Sequence, residues 1–273
     1  MIMLYSNIRK LLKKISLESG FYISGTTELS KLKEFFSKIN PIATGCGLTR
    51  IGDMADGGYL VPNDLQGISA CFSPGVSKEA SFELAFANKG IQCYLADYSV
   101  NGPPFENQHF DFEKKYLGPE NNQVFMTLER WVNEKQPTGA EFILQMDIEG
   151  AEYGVILETP LETLKKFRIL VIEFHGLNRL FSPGGIDIID LAFQKLLKYY
   201  EIVHIHPNNC AEPMKLHGFT VPPVMEFTFL RKDRISDFQP EQNFPHSLDF
   251  KNVPNLPDVV LPMCWANGGQ ILK

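Results

Sequence analysis

Apolar residues follow two rhythms along this chain. From Gly67 onward, short runs rich in β-branched and aromatic residues alternate with segments whose apolar positions recur every three or four residues. This is the pattern of a parallel sheet covered by helices, and it predicts one α/β domain. Strands are predicted at Ile68–Phe72, Gln92–Ala96, Phe142–Ile148, Ile169–His175, Ile202–His206 and Val224–Leu230, with a weaker one inside His109–Tyr116. Helices are predicted over Lys78–Asn88, Leu128–Glu134, Tyr153–Leu157 and Ile186–Tyr199. Ahead of this core, residues 1–45 read as a helical arm, and residues 46–273 as the single α/β domain. A glycine-rich stretch from Thr44 to Tyr59 opens that domain. The tail holds Pro240, Pro245, Pro254, Pro257 and Pro262, which exclude a long helix. Its apolar residues Phe238, Phe244, Leu248, Phe250, Val259, Val260 and Leu261 predict that it wraps on the core.

The composition narrows the partners. The chain has 273 residues, 44% of them hydrophobic, and 26 Lys+Arg against 32 Asp+Glu, for a net charge of −6. Intrinsic disorder is excluded. The only dense basic block is Arg9-Lys10-Leu11-Leu12-Lys13-Lys14, too little for nucleic acid as the main partner. A small, neutral or cation-assisted substrate fits better. Within Met3–Leu17, Leu4, Ile8, Leu11, Leu12 and Ile15 recur at helical spacing, read as a packing or homodimer helix in preference to one lying on a membrane surface. No apolar run is long enough to span a bilayer. Five cysteines without a Cys-x-x-Cys spacing, two of them (Cys71 and Cys93) inside apolar runs, read as the reduced thiols of a cytoplasmic protein.

Two groups of residues carry chemistry. In the first, the strand ending at Phe72 runs through Ser73-Pro-Gly75 into a helix, and Asp97 ends the next strand 22 residues after Gly75. A bare glycine turn and a strand-end carboxylate suit a nucleoside-type cofactor, the carboxylate accepting from ribose hydroxyls. The second and third glycines of a dinucleotide fingerprint are replaced by Ser77 and Ala80, which argues against a pyrophosphate.

In the second group, three strands end in polar residues spaced by two: Asp147/Glu149, Glu173/His175 and His204/His206. That spacing puts each pair on one side of its strand, and in a parallel sheet the strand ends line the ligand crevice. His175, His204, His206 and His217 fall within 43 residues. Such groups suit a general base or a divalent metal such as Mg2+ or Mn2+. Asp147, His175 and His204 are the catalytic candidates, and Asp147, Glu173 and His204 the candidate metal ligands. Glu152 reads as a helix N-terminal charge, and the sequence leaves the orientation of Glu226 open.

Taken together, Arg50-x-Gly52 with Asp56-Gly-Gly-Tyr59, Phe72-Ser-Pro-Gly-Val-Ser77 with Ser81-Phe-Glu83, Asp97, Met146-Asp-Ile-Glu-Gly-Ala-Glu152, Glu173-Phe-His175 and Phe244-Pro-His-Ser-Leu-Asp-Phe-Lys-Asn252 resemble the FkbM-type S-adenosylmethionine-dependent methyltransferases, over roughly residues 48 to 262. The resemblance implies a Rossmann-like class I methyltransferase sheet of seven strands, mostly parallel, with helices on both faces and the last strand antiparallel. It implies S-adenosyl-L-methionine as cofactor, with Gly75 facing its methionine portion, Asp97 its ribose and Asp147 near the reactive methyl, and Ser73 as a further cofactor-binding candidate. Asp56, Gly57, Gly58 and Tyr59 would form part of the cofactor or substrate wall. By analogy the acceptor is a sugar hydroxyl of a surface polysaccharide or nucleotide-sugar precursor. N- or carboxyl-methylation of a small molecule, a noncatalytic sugar or nucleotide binding module, and a metal-dependent hydrolase are the competing readings.

Overall fold

The apolar runs hydrogen-bond into one large sheet. The structure, a computed structural model, describes residues 11–266 apart from positions 13, 21, 22, 138, 140, 237, 242 and 243. In chain order the strands are β1 (Leu48–Ile51), β2 (Tyr59–Pro62), β3 (Ala70–Pro74), β4 (Gln92–Ala96), β5 (Phe110–Glu113), β6 (Tyr116–Leu117), β7 (Phe125–Met126), β8 (Phe142–Met146), β9 (Phe167–His175), β10 (Tyr200–Pro207), β11 (Met214–Leu216), β12 (Phe219–Val221) and β13 (Val224–Arg231). The helices are α1 (Leu29–Lys38), α2 (Ser81–Ala87), α3 (Leu128–Lys135), α4 (Glu152–Glu158), α5 (Leu161–Leu164) and α6 (Pro183–Leu197).

Seven strands form the main sheet in the order β10-β13-β9-β8-β3-β4-β5. β3 is parallel to β4 and β8, β4 to β5, and β8 to β9. β13 runs antiparallel to both of its neighbours, β9 and β10. The mostly parallel sheet and the reversal of its last strand in sequence are as expected. The strand predicted across His109–Tyr116 divides: Phe110–Glu113 joins the main sheet, and Tyr116–Leu117 pairs separately with β7.

Strand periodicity sorts the core into two layers. Phe72, Leu144 and Leu170 pack with α1, α3, α4 and α6 on one face. Their chain neighbours Cys71, Ile143 and Ile169 pack with α2 and the β1–β2 hairpin on the other. Local signals set the helix starts: the Thr127 side chain accepts from the Arg130 N–H ahead of α3, and Ser182 accepts from Gly185 N–H with Pro183 in the first turn of α6.

Two segments depart from expectation. The glycine-rich stretch forms the β1–β2 hairpin, paired from Leu48↔Pro62 to Ile51↔Tyr59. A Cβ on Gly58 would lie 1.9 Å from the carbonyl oxygen of Asp53, so the loop between the strands closes only on glycine. The helix α1, counted with the arm, presents Leu32, Phe35 and Phe36 to the core, each at most 1% exposed. Burial of each contributes about 1.5–3 kcal/mol, which makes α1 part of the domain. Of the basic amphipathic stretch Met3–Leu17, residues 1–10 and 13 lie outside the described residues, and Leu11, Leu12, Ile15 and Leu17 are exposed.

The tail does wrap. Phe244 and Leu261 pack on the core, while Phe238 and Val260 point to solvent. Its firmest anchor is Trp265, fully buried, which donates from Nε1 to the Thr220 carbonyl at 3.0 Å and meets Phe36 edge-on at 4.9 Å. All five cysteines are free thiols; Cys71, Cys93 and Cys264 are buried. Among the described residues, no helix is long and apolar enough to cross a membrane.

Candidate functional site

The turn after β3 is held at atomic contact. Gly75 has φ +90°, and a Cβ there would sit 1.6 Å from the carbonyl oxygen of Asp147, so the β3 turn and the β8 loop touch through bare backbone. The Gly75 N–H donates to the carbonyl of Ala96 at 2.8 Å. One residue after β4, Asp97 is 4% exposed and its two oxygens accept from the backbone N–H groups of Ser77 (2.9 Å) and Ser99 (2.7 Å). Asp97 therefore ties the β3 turn to the loop after β4. Ser77 itself has a positive φ of 42°.

These elements border a cavity of about 630 Å³. Its wall includes Gly75, Asp97, Ser99, Tyr116, Phe125, Asp147 and Glu149, with Asp56, Gly57 and Tyr59 from the hairpin. The expected positions Gly58 and Ser73 lie behind the wall: Gly58 packs on Asp53 and Arg50, and Ser73 belongs to a buried network. In that network Ser73 Oγ bonds Glu83 and lies 2.6 Å from Gln145 Oε1, and Gln145 Nε2 donates to the Tyr59 hydroxyl at 3.1 Å. A hydroxyl has one proton for these two oxygens, so the other contact draws on Glu83, whose carboxyl burial pushes up to about 7. Gln145 was visible in the sequence as a polar residue inside the apolar run Phe142–Met146.

At the ends of β8 and β9 the acidic groups converge on one imidazole. Glu152 is fully buried; its Oε1 accepts from Gly150 N–H at 2.9 Å and lies 3.0 Å from His175 Nδ1. It stands in the first turn of α4, as its reading as a helix N-terminal charge expects, and it is also the buried partner of His175. His175 Nε2 then faces Glu149 Oε2 at 3.4 Å, Asp147 Oδ1 at 3.8 Å and Glu173 Oε1 at 3.9 Å. Burial opposes a charge on His175, and Glu152, Asp147 and Glu149 outweigh it and raise its pKa. Burial, joined by Glu149, Asp56 and Glu152 and opposed by His175, pushes Asp147 up to about 7.

His204 is not brought to this cluster. The expected trio of Asp147, Glu173 and His204 rests on strand ends of a parallel sheet converging at one crevice. The last strand, β13, inserts between β9 and β10, so His204 on β10 stands three strand spacings, roughly 14 Å, from β8. Its Nε2 meets Asp249 Oδ1 of the tail at 2.8 Å, and His206 Nδ1 lies 3.7 Å from the other oxygen. Burial opposes the charge of Asp249, yet His204 and His206 hold its carboxyl well below the usual carboxylate range. Burial likewise opposes a charge on His206, but Asp249, Glu226 and Asp258 push it up to about 9. Glu226 is buried, pairs directly across from Glu173, and accepts from Asn252 Nδ2 at 2.6 Å; Glu173 accepts from Asn208 Nδ2 at 2.9 Å. His217 is exposed on the turn between β11 and β12. The three spaced pairs thus split between two clusters that meet at Glu173.

In comparison with known proteins, residues 86–199 match the family model described as Methyltransferase FkbM domain. The match holds Asp97, Asp147, Glu149, Glu152, Glu173 and His175, and leaves out Gly75, the hairpin and the His204 cluster. It is narrower than the resemblance over residues 48 to 262. No curated protein matches the chain.

Proposed function

With residues 86–199 matched to the FkbM methyltransferase domain, we propose that this chain is an S-adenosylmethionine-dependent O-methyltransferase acting on a saccharide hydroxyl. The observation that carries this reading is the cavity in which the Gly75 turn, Asp97 and Asp147 share one wall. The reading is supported by a seven-stranded, mostly parallel sheet with its last strand reversed and the cavity at the carboxyl ends of β3, β4 and β8.

The residues fit the cofactor. A volume of about 630 Å³ is within the usual range for small-molecule pockets. Gly75 exposes backbone that a side chain would cover. The Asp97 carboxylate uses one acceptor position on each oxygen for the two loop N–H groups, which leaves lone pairs for ribose hydroxyls. When bound, S-adenosylmethionine supplies a methyl group activated on a sulfonium.

The remaining chemistry belongs to the chain. Enclosure by both loops aligns donor and acceptor, and alignment supplies much of the rate. A hydroxyl keeps its proton at neutral pH, so its oxygen becomes nucleophilic only beside a base or a cation that draws the proton off. Asp147 and Glu149 stand on the cavity wall, with His175 behind them, its Nε2 3.4 Å from Glu149. The charged wall residues are Asp56, Glu79, Glu83, Asp97, Asp147 and Glu149 against Lys78, which favours a neutral saccharide over a phosphorylated nucleotide sugar. Calorimetric titration with S-adenosylmethionine and S-adenosylhomocysteine, followed by transfer of labelled methyl to neutral and nucleotide-linked sugars, tests this. Micromolar binding and a methylated neutral sugar support it; a folded protein that binds neither compound overturns it.

A further inference from the structure

We propose that Asp147, Glu149 and His175 form a divalent-cation site, with Glu152 as the residue that positions the imidazole. Among the described residues, one oxygen of Asp147, one of Glu149 and one ring nitrogen of His175 lie within 4.8 Å of one another. Opposite ligands on a cation bound at about 2.1 Å are roughly 4.2 Å apart. The Glu149 side chain is 87% exposed and free to close the difference.

Three independent features point to a ligand there. Asp147 Oδ1, the oxygen that faces His175, is buried and has no hydrogen-bond partner among the described residues. Glu173, only 4% exposed, stands with Oε1 3.9 Å from the same nitrogen, and among the described residues its Oε2 has no hydrogen-bond partner. Glu152 holds His175 by Nδ1, the carboxylate–histidine–metal arrangement that fixes the tautomer and leaves Nε2 with its lone pair toward the ion. Two carboxylates and one imidazole suit a hard cation, and the nitrogen donor favours Mn2+ over Mg2+.

Among the described residues, three side chains offer ligand atoms this close together, which leaves coordination positions for the acceptor. Asp147 and Glu149 both line the cavity, and adjacent hydroxyls of a saccharide are the ligands that fit. A hydroxyl on the cation loses its proton more readily, which answers the need that O-methylation creates. This role rests on the methyltransferase reading; the cation site itself does not.

The test is Mn2+ titration of the full chain, without cofactor, read by electron paramagnetic resonance of the free ion. One site per chain is expected. Asp147→Asn and His175→Ala should weaken it by at least tenfold, Glu152→Gln by about tenfold, and the surface control Glu162→Gln not at all. Thermal melts on the same samples identify variants that fail to fold, and S-adenosylmethionine titration of the unsubstituted chain reads cofactor binding. Cofactor binding with no Mn2+ site overturns this proposal and leaves the methyltransferase reading standing. Mn2+ binding that survives Asp147→Asn and His175→Ala in folded protein overturns the ligand assignment. Mn2+ binding that these variants abolish, in a chain with no cofactor affinity, supports the site and overturns the methyltransferase reading instead.

Discussion

The α-carbon of Gly75 and the carbonyl oxygen of Asp147 are in such close contact that a methyl group added to the glycine would lie 1.6 Å from that oxygen. The loops that end β3 and β8 therefore hold one fixed separation. Gly75→Ala adds this clash to an unfavourable positive φ, and should cost about 2 kcal/mol or more and abolish cofactor binding. Thermal melts and calorimetry read both; a variant that keeps wild-type melting and affinity would show that the contact does not set the cavity.

Asp97→Asn should weaken cofactor binding about tenfold, since an amide has one acceptor oxygen for the N–H groups of Ser77 and Ser99 and cannot serve ribose hydroxyls as well. The check is calorimetry of the folded variant.

His175→Ala should lower the methylation rate at least a hundredfold while changing cofactor affinity less than threefold, because His175 stands outside the cofactor-sized cavity wall. A parallel loss of affinity would assign the residue to cofactor binding instead.

Much of the fold was legible because strand cores announce themselves: Gln92–Ala96 and Val224–Leu230 are runs that bury on both faces. The β1–β2 hairpin was not, since four-residue strands flanking a glycine loop carry too little periodicity to register. Gly75, Asp97, Asp147 and His175 could be read from strand ends. Glu152 could not, because a glutamate that opens a helix looks the same in sequence whether it faces water or a buried imidazole. His204 shows a different limit. Spacing by two fixes which side of a strand a residue is on, but not which strand lies next door, and the insertion of β13 decided that.

Glu83 makes stability depend on pH. Its folded pKa, about 7, exceeds the ordinary 4.5, so the folded state holds the extra proton and stability falls as pH rises between those values. The loss across that window is on the order of 3 kcal/mol. Glu83→Gln, neutral and of the same shape, should flatten that part of the curve, as measured by urea unfolding at pH 5 and pH 8.

The tail clamp loses stability at both ends of the pH range. His206, raised to about 9, contributes stability that is complete below its ordinary 6.5 and lost as pH climbs through 9. Asp249, held low, contributes above its ordinary 3.8 and is lost in acid. Limited proteolysis of residues 244–253 should be slowest between about pH 4 and 6.5 and accelerate at pH 9.5. Asp249→Asn should be cut rapidly throughout.

The order of strands also bears on how such a chain is inherited. The matched span 86–199 supplies β4, β5, β8 and β9, yet β3, which precedes the span, lies between β8 and β4, and β13, which follows it, covers β9. Cut out alone, the span would be two pairs of strands with a gap where the Gly75 turn belongs. It is not a cassette that recombination can lift into another protein. The residues around it must travel and diverge with it, so new acceptors are reached by changing loops on an undivided sheet.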